Sequence, residues 1–235
     1  MAVAVGTAKP RRGQLSRGGI LGTALELVDE EGLESLTLRQ LAAKLGVDPM
    51  SIYNHVSGKD ALLDGVAEVL WSEVRIPSEV ASWKESMRTF AASLRTVAQA
   101  HPKAYGLLLG RGILPGPALE AIDSALVALE SAGLTIDKAA EMVRTLVAFA
   151  AGYAMLELAS PPPEGSTPLE QIVCITRTLP KDAPTHLVEV ARLMCDCDMD
   201  RQFDLGLDLI LAGLEARLPH KGVAHRLPKR RTQAQ

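Results

Sequence analysis

Aromatic residues make up only 3% of this 235-residue chain. Ala and Leu are abundant, a balance that favours helices over sheets. No stretch of convincing strand alternation and no internal repeat is present. Cysteine is almost missing: Cys174, Cys195 and Cys197 are three in number. An odd, sparse set builds no disulfide framework and suits a reducing compartment. No run has the roughly 20 uncharged apolar residues that span a bilayer. The longest apolar run, near Leu146 to Leu156, reads as a buried helix. At the start, MAVAVGTAKPRRGQ puts its basic residues after its short apolar stretch, the reverse of a secretory signal. No Ser/His/Asp set or carboxylate pair at recognisable spacing argues for catalysis. These absences point to a soluble, cytoplasmic, non-enzymatic protein that contacts no membrane.

What the chain does have is apolar content enough for a sizeable core, 47% of residues. Its length fits one to two domains. The net charge of -3 hides an uneven layout. Residues 1–60 balance seven basic against seven acidic groups, residues 61–219 carry a net -8, and residues 220–235 carry +5. Lys9, Arg11, Arg12 and Arg17 precede any acid. An acidic body with basic tails is compatible with nucleic-acid contact at one end.

Apolar spacing predicts a helix from Ser16 to Glu31, ended by Gly32. Thr37 and Gln40 have capping-box spacing at the head of a second helix, which Gly46 stops. Asp48 and Pro49 are an N-cap and a first-turn residue, so a short third helix is expected from Pro49 to about His55. Ser57 is expected to cap a fourth helix from Lys59 towards Val74. Further helices are expected from Ser82 to Ala100, from His101, from Ala118 to Ala132, from Thr135 to Ala159, from Pro184 to Cys195 and from Arg201 to Leu218. SPPPEGSTP, from Ser160 to Pro168, reads as a linker.

The second and third of these helices, joined by a tight turn, have helix-turn-helix spacing. In such a pair the second helix enters the major groove. Asp48, Met50, Ser51 and Asn54 fall on its outer side, while Ile52 and Val56 face Leu41 and Leu45. Tyr53 and His55 can reach phosphates, Lys59 sits where charge and free amides attract another, and Arg39 can reach backbone or a guanine edge. Thr37, at the head of the second helix, joins this DNA-facing set.

GLESLTLRQLAAKLGVDPMSIYNHVSGKDALLDGV resembles the DNA-binding domain of the tetracycline-repressor (TetR) family, from about Ser16 to Val66. The resemblance implies an all-α homodimer: a three-helix helix-turn-helix DNA-binding domain followed by an α-helical domain that binds ligand and dimerises. It makes Arg39 the arginine of the second helix, and places Asp48, Pro49, Met50 and Ser51 at base-facing positions. Tyr53, His55 and Lys59 take the backbone contacts. GYAMLELA (Gly152–Ala159) and DRQFDLGLDLILAGLEARL (Asp200–Leu218) resemble helices of the tetracycline repressors themselves. Those repressors hold a drug-bound magnesium through a histidine after a short middle helix. This chain reads LLLGRGILPG there, so no metal or cofactor is assigned. The implied layout is a basic arm at 1–15, the DNA-binding domain at 16–60, an effector and dimerisation domain at 61–219, and a basic tail at 220–235.

An effector pocket is expected among Phe90, Leu94, Leu107, Leu108, Met142, Leu146, Phe149 and Tyr153, with His101, Arg111 and Glu157 as polar anchors. Glu157 has a glutamate counterpart in the tetracycline repressors. Ala148, Ala151 and Gly152 would let a partner helix approach closely, and Phe203, Leu207, Ile210, Leu211 and Leu214 supply a second apolar face. The family's dimer is a four-helix bundle of these two helices from each chain. MCDCDMD mimics the start of a calcium loop but lacks its glycine and glutamate, so a helix end is the plainer reading. GRGILPGP lacks a phosphate loop's lysine and reads as a turn. The expected partners are double-stranded operator DNA, a second copy of the chain and a small-molecule effector. The expected function is a dimeric repressor released from a palindromic operator by that effector. A helical ligand-binding protein or enzyme with a relic motif, or an activator of the same family, stands beside it.

Overall fold

The computed structural model describes residues 15–76, 82–111, 114–159, 179–180, 182–195 and 198–218. Among these there are helices and turns and no strand. In chain order the helices are α1 (Arg17–Glu31), α2 (Leu38–Leu45), α3 (Pro49–Tyr53), α4 (Lys59–Glu73), α5 (Trp83–Ala100), α6 (Gly106–Gly110), α7 (Gly116–Ser131), α8 (Ile136–Ala159), α9 (Thr185–Cys195) and α10 (Met199–Glu215). A short 3-10 turn (Leu33–Ser35) links α1 to α2. The basic arm, the Ser160–Pro168 linker, Cys174, Cys197 and the basic tail lie outside the described residues.

Local chemistry sets most helix ends. The Ser16 hydroxyl accepts the Gly19 amide at 3.1 Å, and the Ser82 hydroxyl accepts the Glu85 amide at 3.3 Å. At α2 the Thr37 hydroxyl accepts the Gln40 amide at 3.1 Å and donates back to Gln40 Oε1 at 2.8 Å. The glutamine therefore closes on the cap hydroxyl rather than on the backbone. Gly46 ends α2 in the left-handed region (φ 68), where a side chain is disfavoured. Ser57 does not cap α4 as its sequence position suggests. Gly58 (φ 149) holds that position without a side-chain bond. α3 stops at Tyr53, with Asn54 as its cap, two residues short of the expected end. α10 begins at Met199 because Asp198 accepts the Arg201 amide at 3.0 Å, so Asp198 is a helix cap.

α4 lies on α1 on one side and on α6 and α7 on the other, while α5, α7 and α8 form the centre of the body. α8 is long and apolar enough to cross a membrane by length and composition, with a mean hydropathy of 1.4 in its best window. Its Ala139, Met142, Val143, Leu146, Ala150, Ala151 and Ala154 are buried against the protein's own helices. The α1–α4 crossing is close at Gly65. A Cβ there would lie 2.3 Å from Leu21 Cδ2 and 2.9 Å from Cδ1, and Leu21 is itself buried. Gly65→Ala should lower stability by about 1–3 kcal/mol in chemical denaturation, because a packed leucine must leave its rotamer. Adding Leu21→Ala should cost less than it does in the wild type; strict additivity of the two would show that the crossing is slack.

Candidate nucleic-acid interface and effector site

The turn between α2 and α3 is built to expose α3. Asp48 accepts the Met50 amide at 2.8 Å, which fixes the first turn, and Pro49 pre-sets the backbone there. Ile52 and Val56 are buried against the α1–α2 core that holds Leu41. The opposite side stands free: Met50 is 69% exposed and Tyr53 48%. Arg39, Pro49, Asn54, His55 and Lys59 are exposed as well, and Ser51 is half-buried. Among the described residues no side-chain hydrogen bond or ion pair engages Arg39, Tyr53, Asn54, His55 or Lys59. Thr37 and Asp48 differ, because the cap bonds already occupy their oxygens. All these residues lie within one short run from the head of α2 to the head of α4.

The expected effector residues divide into two groups. Phe90, Leu94, Met142 and Leu146 are buried between α5 and α8, and Leu107 and Leu108 are buried on α6. Phe149 and Tyr153 of α8 meet Phe203 of α10 in a ring cluster, with centroids 5.4 and 5.2 Å from Phe203. An edge of the Phe149 ring points at α10 where position 206 is glycine, and a Cβ there would sit 2.6 Å from the ring. The polar edge of this cluster is Arg95. Its guanidinium grips Glu157 through two bonds of 2.8 Å, reaches Asp200 at 2.8 Å, and lies 5.0 Å from the Phe203 ring centroid. Gln99 adds a 3.1 Å bond to Glu157. Hydrogen bonds from Arg95, foremost, hold the Glu157 carboxyl below its ordinary range against the opposing effect of partial burial. The same bonds push Arg95 up.

His101 and Arg111 are not part of this site. His101 at the end of α5 contacts Asp29 of α1 at 2.7 Å and Glu73 of α4 at 3.0 Å. Arg111, just after α6, pairs with Asp64 of α4 at 2.5 Å. Both are tied to carboxylates on the helices that lead to α3, so they brace a junction instead of facing the ring cluster. Trp71 of α4 joins the same junction, its indole N–H donating to the Leu108 carbonyl at 3.0 Å. Tyr105, in the turn between His101 and α6, is wholly buried with no hydrogen-bond partner for its hydroxyl among the described residues, and burial pushes its pKa up to about 12. Spacing missed Arg95, Gln99, Asp200 and the ring role of Phe203. A signal for the first existed: Arg95 interrupts the Met87, Phe90, Ala91, Leu94, Ala98 stripe of α5, where a charge needs a buried partner.

The expected dimer face also changes. Phe203, Leu207, Leu211 and Leu214 are buried inside the protomer, as is Ala151. The side of α10 that faces outward carries Leu205 and Leu209, 51% and 68% exposed. Ala148 and Gly152 of α8 are exposed, next to Met155 and Leu156, and Ile210 is half-buried.

Residues 20–66 match the family model described as bacterial regulatory proteins of the tetR family. Residues 76–218 match the tetracyclin repressor-like C-terminal domain. The chain belongs to the TetR family. The tetracycline repressor of class C from Escherichia coli is 29% identical over 206 residues, 86% of this chain and 91% of that one. Among solved structures, apo ActR from Streptomyces coelicolor superposes with a TM-score of 0.73 at 30% identity, covering 88% of this chain and 97% of ActR. ActR in complex with actinorhodin gives 0.74 at 30% identity, with 88% and 99% covered. This TetR-family protein is an all-α, ligand-responsive DNA-binding repressor.

Glu157→Gln should cost about 2–3 kcal/mol at pH 7, because it leaves a buried guanidinium short of one charge partner. The folded-state carboxyl ionises at lower pH than in the unfolded chain, so its stabilisation is complete above the unfolded value. It is lost as pH falls through the folded one. The gap between wild type and variant in thermal denaturation should therefore close below about pH 4.5, near the ordinary glutamate value. A gap that does not change with pH would mean that the charge contributes nothing.

Proposed function

We propose that residues 16–60 read the operator through α3, and that residues 61–219 hold the effector and the partner chain. The free side of α3, held by buried Ile52 and with Tyr53, Asn54, His55 and Lys59 unengaged, is the observation that carries this reading. Met50, Ser51 and Asn54 face base edges. Tyr53, His55 and Lys59 take phosphates, and Arg39 approaches from α2. Thr37, Asp48 and Pro49 shape the helix heads more than they read bases. The protein is read as cytoplasmic, where its DNA is, and as non-enzymatic.

The effector is a flat aromatic molecule with a hydrogen-bonding edge. It lies against Phe149, Tyr153 and Phe203, with Arg95, Gln99 and Glu157 as its polar wall. That ActR, at 30% identity, is solved in complex with actinorhodin supports a small-molecule effector. Binding there would act on α5, α8 and α10, and the His101, Arg111 and Trp71 contacts would carry the change to α1 and α4. A ligand that prefers one arrangement of this junction shifts the DNA-competent population accordingly. A thermal-shift screen should find stabilisers among flat aromatics, and Phe203→Ala should abolish the shifts. Stabilisers confined to aliphatic acids would sink the assignment.

Two outcomes test the DNA and dimer faces. On a duplex selected from a random pool by the wild-type protein, Tyr53→Ala and Lys59→Ala should each weaken binding about 10-fold or more, as loss of a phosphate contact does. Both variants should sediment as dimers. Wild-type affinity in both would mean that the recognition face is misplaced. Leu209→Glu should yield a folded monomer in sedimentation and lose the selected duplex, because one half-site alone binds weakly.

A further inference from the structure

Beside α3 lies an open groove of about 310 Å³, lined by Arg17, Tyr53, Asn54, His55, Val56, Ser57 and Ala61. Its polar lining consists of a guanidinium, an imidazole, two hydroxyls and an amide. Among the described residues no carboxylate lines it. Every polar side chain there can donate a hydrogen bond, which suits an anion. Arg17 is the fixed charge. It is held as a fork on Glu68 of α4, with bonds of 3.0 and 2.7 Å. The two side chains are 50% and 37% exposed, so solvent screens the pair and a stronger anion can compete for the guanidinium. The chain before Arg17 carries Lys9, Arg11 and Arg12 and no acid. The occupant that complements the cations of both the arm and the groove is a polyanion.

We propose that this groove seats a phosphodiester of the operator strand, with Arg17 as its cation and Ser57 as a hydroxyl donor, two groups added to the phosphate contacts already proposed for Tyr53 and His55. The proposal rests on α3 being the recognition helix, since Tyr53, Asn54 and His55 are shared between the two surfaces. Glu68 then has a second part. It holds Arg17 in place in the free protein and gives it up, wholly or in part, when the backbone arrives.

The test uses the full-length dimer, the selected duplex and a random duplex, in a salt titration. Arg17→Ala should weaken both duplexes by a similar factor of about 5–10, and should reduce the slope of log affinity against log salt by about one per protomer. Glu68→Ala should leave affinity unchanged or raise it, because it frees the guanidinium. If Arg17→Ala and Glu68→Ala weaken binding alike, the pair serves stability only and the seat is overturned. An unchanged slope in Arg17→Ala overturns it too. Lys59→Ala separates this failure from that of the recognition face: normal loss in Lys59→Ala with none in Arg17→Ala sinks the groove alone. Titration with inorganic phosphate, read by thermal shift, distinguishes the sources. Stabilisation that depends on Arg17, with no effect of Arg17→Ala on the DNA slope, would make this a free-anion site and overturn the DNA reading.

Discussion

Helix α4 must satisfy two cores at once, and most of the architecture follows from that. Leu62, Val66, Ala67 and Leu70 are buried along it. Its Gly65 meets Leu21 of α1, while Trp71 is bonded to the α6 backbone. One helix therefore cannot turn or slide without disturbing both the support of α3 and the inner wall of the body. Interiors this close-packed move between discrete arrangements and do not deform smoothly. A repressor needs that property. On the proposed function, occupancy of the body has to become a change in where α3 sits, and a shared helix is the link that the packing offers.

Electrostatics divides along the same line. Exposed ion pairs such as Lys44–Glu30 and Lys138–Glu141 contribute little to stability. The Arg95–Glu157 pair differs, since both side chains are largely withdrawn from water and the guanidinium lies against aromatic rings. Keeping such a pair in a small helical body costs desolvation, which good geometry only offsets. A purely structural role would be served as well by a leucine and a methionine. A polar wall beside rings accords with the ligand site proposed above.

Local chemistry was legible before the structure was. Ser16, Thr37, Asp48 and Ser82 cap where their spacing says they should, since a cap involves only the next three residues. The α3 face was legible too, because burial of Ile52 follows from its distance to Pro49 and from the Leu41 stripe. Contacts between distant segments were not. His101 looked like a pocket anchor, but its partners stand 72 and 28 residues away. Apolar periodicity gives α10 one apolar face without saying what covers it, and in the protomer Phe203, Leu207, Leu211 and Leu214 of that face are buried. Ser57 failed as a cap for a smaller reason: Gly58 adopts a backbone that already starts the helix.

The shortness of α3 has a consequence for how much sequence this protein can discriminate. At about 1.5 Å per residue, its five residues extend roughly 7.5 Å, and base pairs rise about 3.4 Å each, so one helix spans about two steps of the duplex. Direct reading by each subunit is then a small amount of information, far less than is needed to single out one address in a genome. The remainder must come from duplication across the two-fold axis, from the fixed spacing between half-sites and from how readily the intervening DNA takes the required shape. Selectivity here belongs to the rigidity of the dimer as much as to any side chain on α3.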